Sequence, residues 1–218
     1  MLRESLLLDL LMSRLLNGYI RSPASASGGS EVSSIWKSIW AANVPGLRRK
    51  AAREARPWSP PPIGWVKANL DGAFDQYTNC GGLGVIIHDS SGLIMGGCCR
   101  KVSNVTTPAM VEAFAARLAC QFAVSNSLAP IIFETDCQKL VKDIMSDEED
   151  ASGYGRIVED ISFFQASLPS SSFTHVFRES NSAAHMLAKL ALNSSLDLAW
   201  SGQIPSRISN YVANHCMN

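Results

Sequence analysis

The spacing of hydrophobic residues changes from a strand period to a helix period near residue 108. Before that point, apolar and polar positions alternate in Trp65–Phe74, and two further short runs, Gly81–Asp89 and Leu93–Val102, follow between turn residues. Together they predict three strands. The turns between these strands are short and contain glycine, so consecutive strands are expected to pair as an antiparallel meander.

Beyond residue 108, the pattern predicts helices that alternate with buried strands. Val111, Ala115 and Leu118 stand at helical spacing and predict a helix over Ala109–Ser125. The short apolar run Ile131–Thr135 is typical of a strand that is buried on both faces. Two helices, a strand and a last helix follow: Gln138–Met145, Arg156–Leu168, Ser172–Phe177 and Asn181–Leu192.

The order of these elements predicts an α/β domain with a five-stranded mixed sheet and helices on both faces. We place the domain at residues 61–192. Residues 1–60 are expected to be a poorly ordered basic leader and linker, because the stiff run Pro57–Pro62 marks a boundary. Residues 193–218 are expected to form a C-terminal tail with a helix over Pro205–Ala213.

The charges balance over the whole chain but are divided between its parts. The 218 residues hold 19 Lys and Arg against 19 Asp and Glu. Residues 1–60 carry 9 basic and 4 acidic residues, whereas residues 61–192 carry 9 and 14. A basic face is the usual footprint of a protein that binds nucleic acid. The acidic balance therefore counts against tight binding by the domain alone.

The cysteines and the absence of a long apolar run bear on the compartment. None of the six cysteines forms a CxxC pair or a zinc-spaced cluster with histidine, so we expect free thiols in a reducing compartment. No apolar run reaches the length of a membrane span. The Arg- and Ser-containing start fits an organellar import signal only in part, because it includes Glu4 and Asp9. We expect an intracellular monomer without a membrane, in nucleus or cytoplasm, with an organelle as the alternative.

Three acidic residues follow the pattern of a divalent metal site. Asp71 lies near the end of the first strand, Glu112 in the first turn of the long helix, and Asp136 directly after the buried strand. Carboxylates that converge from two strands and a helix can hold Mg²⁺ or Mn²⁺ at a phosphodiester. Each residue also has a structural alternative. Asp71 would then belong to an Asp-Gly turn, Glu112 would interact favourably with the helix dipole, and Asp136 would be a helix N-cap.

Five blocks in order carry a resemblance to a known family: PPPIGWVKANLDGAF, GGLGVIIHDSSGLIMGG, VEAFAARLA, FETDCQKLV and FRESNSAAHMLAKLAL. Over about residues 58–192, the chain resembles the type 1 ribonuclease H-like domain of the plant non-LTR retroelement (reverse transcriptase-like) family. The resemblance implies the ribonuclease H-like fold and metal-dependent cleavage of RNA in an RNA–DNA hybrid, with Mg²⁺ or Mn²⁺ as cofactor. It also implies that Asp71, Glu112 and Asp136 are catalytic metal ligands.

The fourth position of the family's site differs in this chain. Family members with four acids have an aspartate in the last helix, where this sequence has His185. Imidazole is a poor ligand for Mg²⁺, but it can move protons near neutral pH. We therefore include His185 among the catalytic candidates, and leave open whether it is a proton shuttle or the mark of a lost ligand.

Two residues are weaker candidates for substrate contact, and two segments differ from the family pattern. Gly72 would let a substrate backbone approach closely, and Thr107 precedes the Glu112 helix where relatives hold polar residues facing the hybrid. The acidic run Asp147–Asp150 should repel phosphate. Ile35–Lys50 resembles the end of a retroelement zinc-binding segment, but no Cys or His precedes residue 80. The alternative function is a catalytically silent ribonuclease H-like module that binds nucleic acid or a protein.

Overall fold

The computed structural model describes residues 57–216, except residues 147, 149 and 195. The predictions for the N-terminal leader, its import signal and Ile35–Lys50 lie outside the described residues. In chain order, the elements are β1 (Val66–Asp75), β2 (Cys80–His88), β3 (Ile94–Ser103), α1 (Pro108–Ser125), β4 (Ile131–Thr135), α2 (Gln138–Ile144), α3 (Gly153–Ala166), β5 (Ser171–His175), a 3₁₀ turn (Arg178–Asn181), α4 (Ser182–Ser194), β6 (Leu198–Ser201) and α5 (Ser206–Cys216).

The strands form a mixed sheet in the order β5-β4-β1-β2-β3-β6. The first three strands pair antiparallel, as a meander requires. β4 pairs parallel with β1, and β5 pairs parallel with β4. β1 therefore lies in the interior of the sheet with a strand on each side, and any side chain at its end is held near the middle of the domain.

The predicted α/β fold is confirmed, but the strand count of five is wrong. A sixth strand, β6, pairs antiparallel with β3 at the edge of the sheet. Its four residues are too few to show a clear alternation in the sequence. Both β6 and α5 lie beyond residue 192, and Ile208 and Val212 of α5 are fully buried against the domain. These C-terminal elements therefore contribute to its core.

Two apolar layers cover the two faces of the sheet. α1, α2 and α3 pack on one face and α4 and α5 on the other. Gly82 and Gly84 of β2 allow α4 to lie directly on the sheet, because a Cβ atom there would come within 2.0 Å of the Ala188 carbonyl oxygen and 2.4 Å of the Ala184 carbonyl oxygen. This close contact fixes the height of α4 above β1 and β2. Among the described residues, no helix combines the length and the apolar character needed to cross a membrane.

Candidate active site

The register between β1 and β4 brings two of the predicted acids together. Their parallel pairing runs from Val66 with Ile131 to Asn69 with Glu134. Continuing the same register by two residues sets Asp71, in the middle of β1, beside Asp136, which directly follows β4 at the carboxyl edge of that strand. This is the edge at which parallel strands gather functional side chains.

The third acid, Glu112, comes from α1. The helix begins at Pro108, and the Thr107 side chain caps it by accepting a hydrogen bond from the Met110 N–H at 3.2 Å. Glu112 thus lies in the second turn, and the prediction that it occupies the first turn is wrong. The cap determines where α1 starts, and so determines which residue of α1 faces the end of β1.

Gly72 is the residue that allows α1 to approach β1. A Cβ atom at this position would lie 2.8 Å from the Glu112 backbone nitrogen and 2.8 Å from the Val111 carbonyl carbon. The backbone that approaches Gly72 within the domain is that of α1, and the expected approach of a substrate backbone stays a prediction. The effect of Gly72 on the site is to bring Glu112 close to Asp71.

The three carboxylates converge as the sequence predicts. One oxygen from each of Asp71, Glu112 and Asp136 lies within 4.8 Å of the others. Glu112 Oε2 is buried and has no hydrogen-bond partner in the described part of the chain. A buried oxygen without a partner is costly, and a hard divalent cation with oxygen ligands would satisfy it. The donor set therefore fits Mg²⁺ or Mn²⁺.

The raised pKa values of two of these carboxyl groups also fit a site for a cation. Burial raises the pKa of Glu112 to about 9, and the negative charges of Asp71 and Asp136 add to the effect. Burial also raises the pKa of Asp71 to about 6, although the hydrogen bond with His185 opposes the rise. Without a cation, Glu112 therefore retains its proton at neutral pH. Because a bound cation favours the charged carboxylates, binding should release that proton.

The arrangement around His185 determines its tautomer. His185 Nδ1 lies 2.7 Å from Asp71 Oδ2, and His185 Nε2 lies 3.1 Å from an Arg178 guanidinium nitrogen. Because arginine can only donate, Nε2 must be the acceptor and the ring proton must be on Nδ1. His185 is thus a neutral donor to Asp71 with both nitrogens engaged, and it presents no lone pair to the carboxylate cluster.

Arg178 was not identified from the sequence, although it lies in one of the blocks that carry the family resemblance. Its side chain is exposed, in the 3₁₀ turn that precedes α4. It forms no salt bridge with any carboxylate of the described residues. An unneutralised guanidinium thus lies one imidazole ring away from Asp71. The sequence offered no signal for this, because the contact depends on how the turn meets β1.

The other predicted features are less closely connected to the cluster. Thr107 is an exposed helix cap, and its expected contact with substrate stays a prediction. Of the acidic run, Glu148 and Asp150 are exposed, whereas residues 147 and 149 lie outside the described set. The loop therefore adds negative charge to the surface between α2 and α3.

Comparison with known proteins identifies the family of this chain. A family model described as reverse transcriptase-like matches residues 69–191, more than half of the chain. The chain belongs to this family. A protein of Arabidopsis thaliana that is assigned by name to the ribonuclease H proteins is 25% identical over 155 residues, which are 71% of this chain and 25% of that protein. This member of the reverse transcriptase-like family thus spans about a quarter of the length of that relative.

Solved structures agree on the fold. The ribonuclease H1 of the archaeon Halobacterium salinarum matches with a TM-score of 0.55 and 22% identity, over 59% of this chain and 97% of that protein. A ribonuclease H1 named LC11, solved in complex with an RNA/DNA hybrid, matches with a TM-score of 0.54 and 18% identity, over 60% of this chain and 98% of that protein. The domain of this family member therefore has the ribonuclease H fold.

Proposed function

We propose that this protein is a metal-dependent endoribonuclease that cleaves the RNA strand of RNA–DNA hybrids, in a domain derived from a retroelement. The observation that carries the proposal is the convergence of three carboxylates, with oxygens within 4.8 Å, on a ribonuclease H fold. The fold neighbour LC11 binds an RNA/DNA hybrid, which supports the same substrate class here. Recognition of such a hybrid depends on its groove shape and 2′-hydroxyls rather than its sequence.

The residues that would hold Mg²⁺ or Mn²⁺ are Asp71, Glu112 and Asp136. When bound, divalent ions of this kind activate water and stabilise the leaving oxygen in phosphodiester cleavage. The chain's own part is to hold the three carboxylates together around Asp71 of β1, with the His185 N–H orienting Asp71. His185 is thereby proposed as a catalytic-site residue that orients a ligand, and it is not proposed as a ligand.

Arg178 is proposed to contact a phosphate of the hybrid. Its exposed guanidinium lies 3.1 Å from His185 Nε2, one imidazole ring away from Asp71, and has N–H groups that His185 does not use. Charge-assisted hydrogen bonds from arginine suit phosphate oxygens. This positive charge would offset part of the repulsion between the acidic domain and its substrate.

Replacing Arg178 by alanine should weaken hybrid binding and reduce the salt dependence of the binding constant by about one phosphate contact. The measurement is a set of binding isotherms on a labelled hybrid at several salt concentrations, with the full chain. Arg207→Ala, which removes an exposed arginine from α5, is the matched control. Equal salt dependence in both variants would contradict a phosphate contact at Arg178.

Changing His185 to aspartate should tighten Mn²⁺ binding by about tenfold, because added ligand charge raises the affinity of an oxygen site for divalent ions. Titration calorimetry on the full chain measures this change. Lys189→Gln, which makes the same change of net charge on the exposed side of α4, is the control. If the two variants bind Mn²⁺ alike, the position of the new carboxylate does not matter, and the fourth-ligand interpretation fails.

The alternative function is a catalytically silent module that binds nucleic acid or a protein. The observation in its favour is that His185 engages an oxygen of Asp71 and offers no ligand of its own. The deciding experiment is incubation of the full chain with a labelled RNA–DNA hybrid and a matching DNA duplex, in Mg²⁺ and separately in Mn²⁺. Cleavage of RNA in the hybrid alone supports the enzyme. Binding of the hybrid without cleavage in either metal supports the silent module.

A further inference from the structure

A layer of buried polar residues lies directly behind the candidate site. Its members, Asn69, Glu134 and Asn181, are only 2%, 7% and 1% exposed. Asn69 and Glu134 each precede a site residue by two positions along a strand direction, and Asn181 precedes one by four positions at the start of α4. Such positions share one face of the element. The pairs are Asn69 with Asp71, Glu134 with Asp136, and Asn181 with His185. We call these three buried residues the polar layer.

Hydrogen bonds join the polar layer into one unit. The Asn69 side-chain amide donates to Glu134 Oε2 at 3.0 Å and to Asn181 Oδ1 at 3.3 Å. The Asn181 amide in turn donates to the Leu70 carbonyl at 2.8 Å, next to Asp71 in the chain. The layer therefore connects β1, β4 and the start of α4, which are the elements that carry three of the site residues.

Neighbouring groups satisfy the remaining polar atoms of the layer. Lys67 Nζ lies 2.8 Å from Glu134 Oε1, and both side chains are buried. The Trp58 indole N–H donates to Asn69 Oδ1 at 2.9 Å, and Lys67 also donates to the Ser59 carbonyl at 2.6 Å. The ion pair compensates the charge of Glu134, a buried acid close to the carboxylate cluster.

A buried ion pair with two buried amides is a poor way to gain stability. Well-packed apolar residues of similar volume often stabilise a protein as much or more. A fully satisfied polar network instead fixes the relative positions of its members, because hydrogen bonds are directional. We propose that the polar layer is a positioning device, whose hydrogen bonds set the spacing of the site side chains in front of it. Its role in the reaction rests on the proposed function.

The position of His185 can be measured without metal or substrate, and this makes the layer testable by itself. In nitrogen-15 NMR spectra of the full chain in a chelator, His185 should show a proton on Nδ1 and an unprotonated, hydrogen-bonded Nε2. His185→Gln identifies its signals among those of the four histidines. Asn69→Ala and Asn181→Ala should both lose this tautomer pattern, because Asp71 and His185 no longer keep their spacing.

Controls separate positioning from a general loss of stability. Ile161 is fully buried in α3 on the opposite face of the sheet, so Ile161→Val and Ile161→Ala provide a graded loss of melting temperature without touching the layer. Trp58→Phe keeps an aromatic ring beside His88 and Lys67 but removes the hydrogen bond to Asn69, and should shift the His185 signals in the same direction by a smaller amount. An unchanged His185 tautomer in Asn69→Ala and Asn181→Ala would overturn the proposal. So would an equal change in the Ile161 variants.

Activity and metal binding give the second measurement. Loss of a group that orients a ligand typically costs 10- to 100-fold in activity or metal affinity. We expect a decrease of about that size in kcat and in Mn²⁺ affinity for Asn181→Ala, with little change in KM. Wild-type affinity and kcat in both alanine variants would overturn the role in the reaction. If the His185 signals respond as expected but the wild type neither binds Mn²⁺ nor cleaves the hybrid, the layer is supported and the proposed function fails.

Discussion

Asparagine in place of Asp71 should slow cleavage of an RNA–DNA hybrid by at least about a hundredfold, the loss seen when one electrostatic group leaves a catalytic site. The residue is 3% exposed, lies in the carboxylate cluster and accepts the hydrogen bond of His185. Asparagine has the shape of aspartate but carries no negative charge. Its side-chain NH2 group can also face the His185 N–H, and two donors form no hydrogen bond. The measurement is the initial cleavage rate in Mg²⁺ and in Mn²⁺, with melting curves to show that the fold is kept.

The same strand provides the control for this substitution. Asp75 ends β1, and its carboxylate accepts hydrogen bonds from the Tyr77 N–H at 3.0 Å and the Thr78 hydroxyl at 2.7 Å in an exposed turn. Asp75→Asn should leave the cleavage rate close to that of the wild type. Wild-type cleavage by the Asp71 variant would remove the metal-ligand assignment, whatever the control does.

A second large effect is expected from Glu112→Gln, on stability and metal binding together. The unfolded chain releases the Glu112 proton near pH 4.5, whereas the folded, metal-free protein retains it up to about 9. Between these values the folded state binds more protons, so its free energy of unfolding falls as the pH rises. Glutamine is neutral throughout, so the variant should lose this contribution to the pH dependence and melt at a higher temperature than wild type at alkaline pH.

Thermal melts in a chelator, repeated from weakly acidic to alkaline pH, test this expectation. Mn²⁺ should then raise the melting temperature of the wild type but not that of Glu112→Gln, because the variant has lost a charged ligand. Glu159→Gln, the same substitution at an exposed position of α3, should follow the wild type. Parallel pH profiles for wild type and Glu112→Gln would show that the buried carboxyl does not titrate as its surroundings require.

The local sequence pattern was sufficient to predict those helices and strands whose bounds depend on their own residues. Ile131–Thr135 is a continuous apolar run, and the strand has the predicted bounds. The three acids could be named because each lies in or directly after a well-marked element. The start of α3 was missed by three residues, because the Ser152 hydroxyl caps the helix by accepting from the Gly155 N–H. A serine four residues ahead of the predicted start at Arg156 was the available signal.

The features that were missed depend on contacts between distant parts of the chain. Asn69 and Asn181 are 112 residues apart in sequence, and nothing local indicates that their amides meet. The alternation of Lys67, Asn69 and Asp71 places three polar residues on one face of β1, which would be expected to point to solvent. All three are buried, because the start of α4 covers Asn69 and Asp71 and the segment at Trp58 and Ser59 covers Lys67 and Asn69. β6 was missed because its pairing, rather than its sequence, makes it a strand.

The interior position of β1 has a consequence for how the domain opens. Lys67 to Asn69 pair with β2 on one side and with β4 on the other, whereas β6 is held at one edge over four residue pairs. Amide hydrogens of β1 should therefore exchange with solvent only through global unfolding, and those of β6 through smaller fluctuations. Asp71, in the middle of β1, should therefore not lose its position by local unfolding. Substitutions at the edge strands of the sheet should therefore displace Asp71 only when they lower the stability of the whole domain.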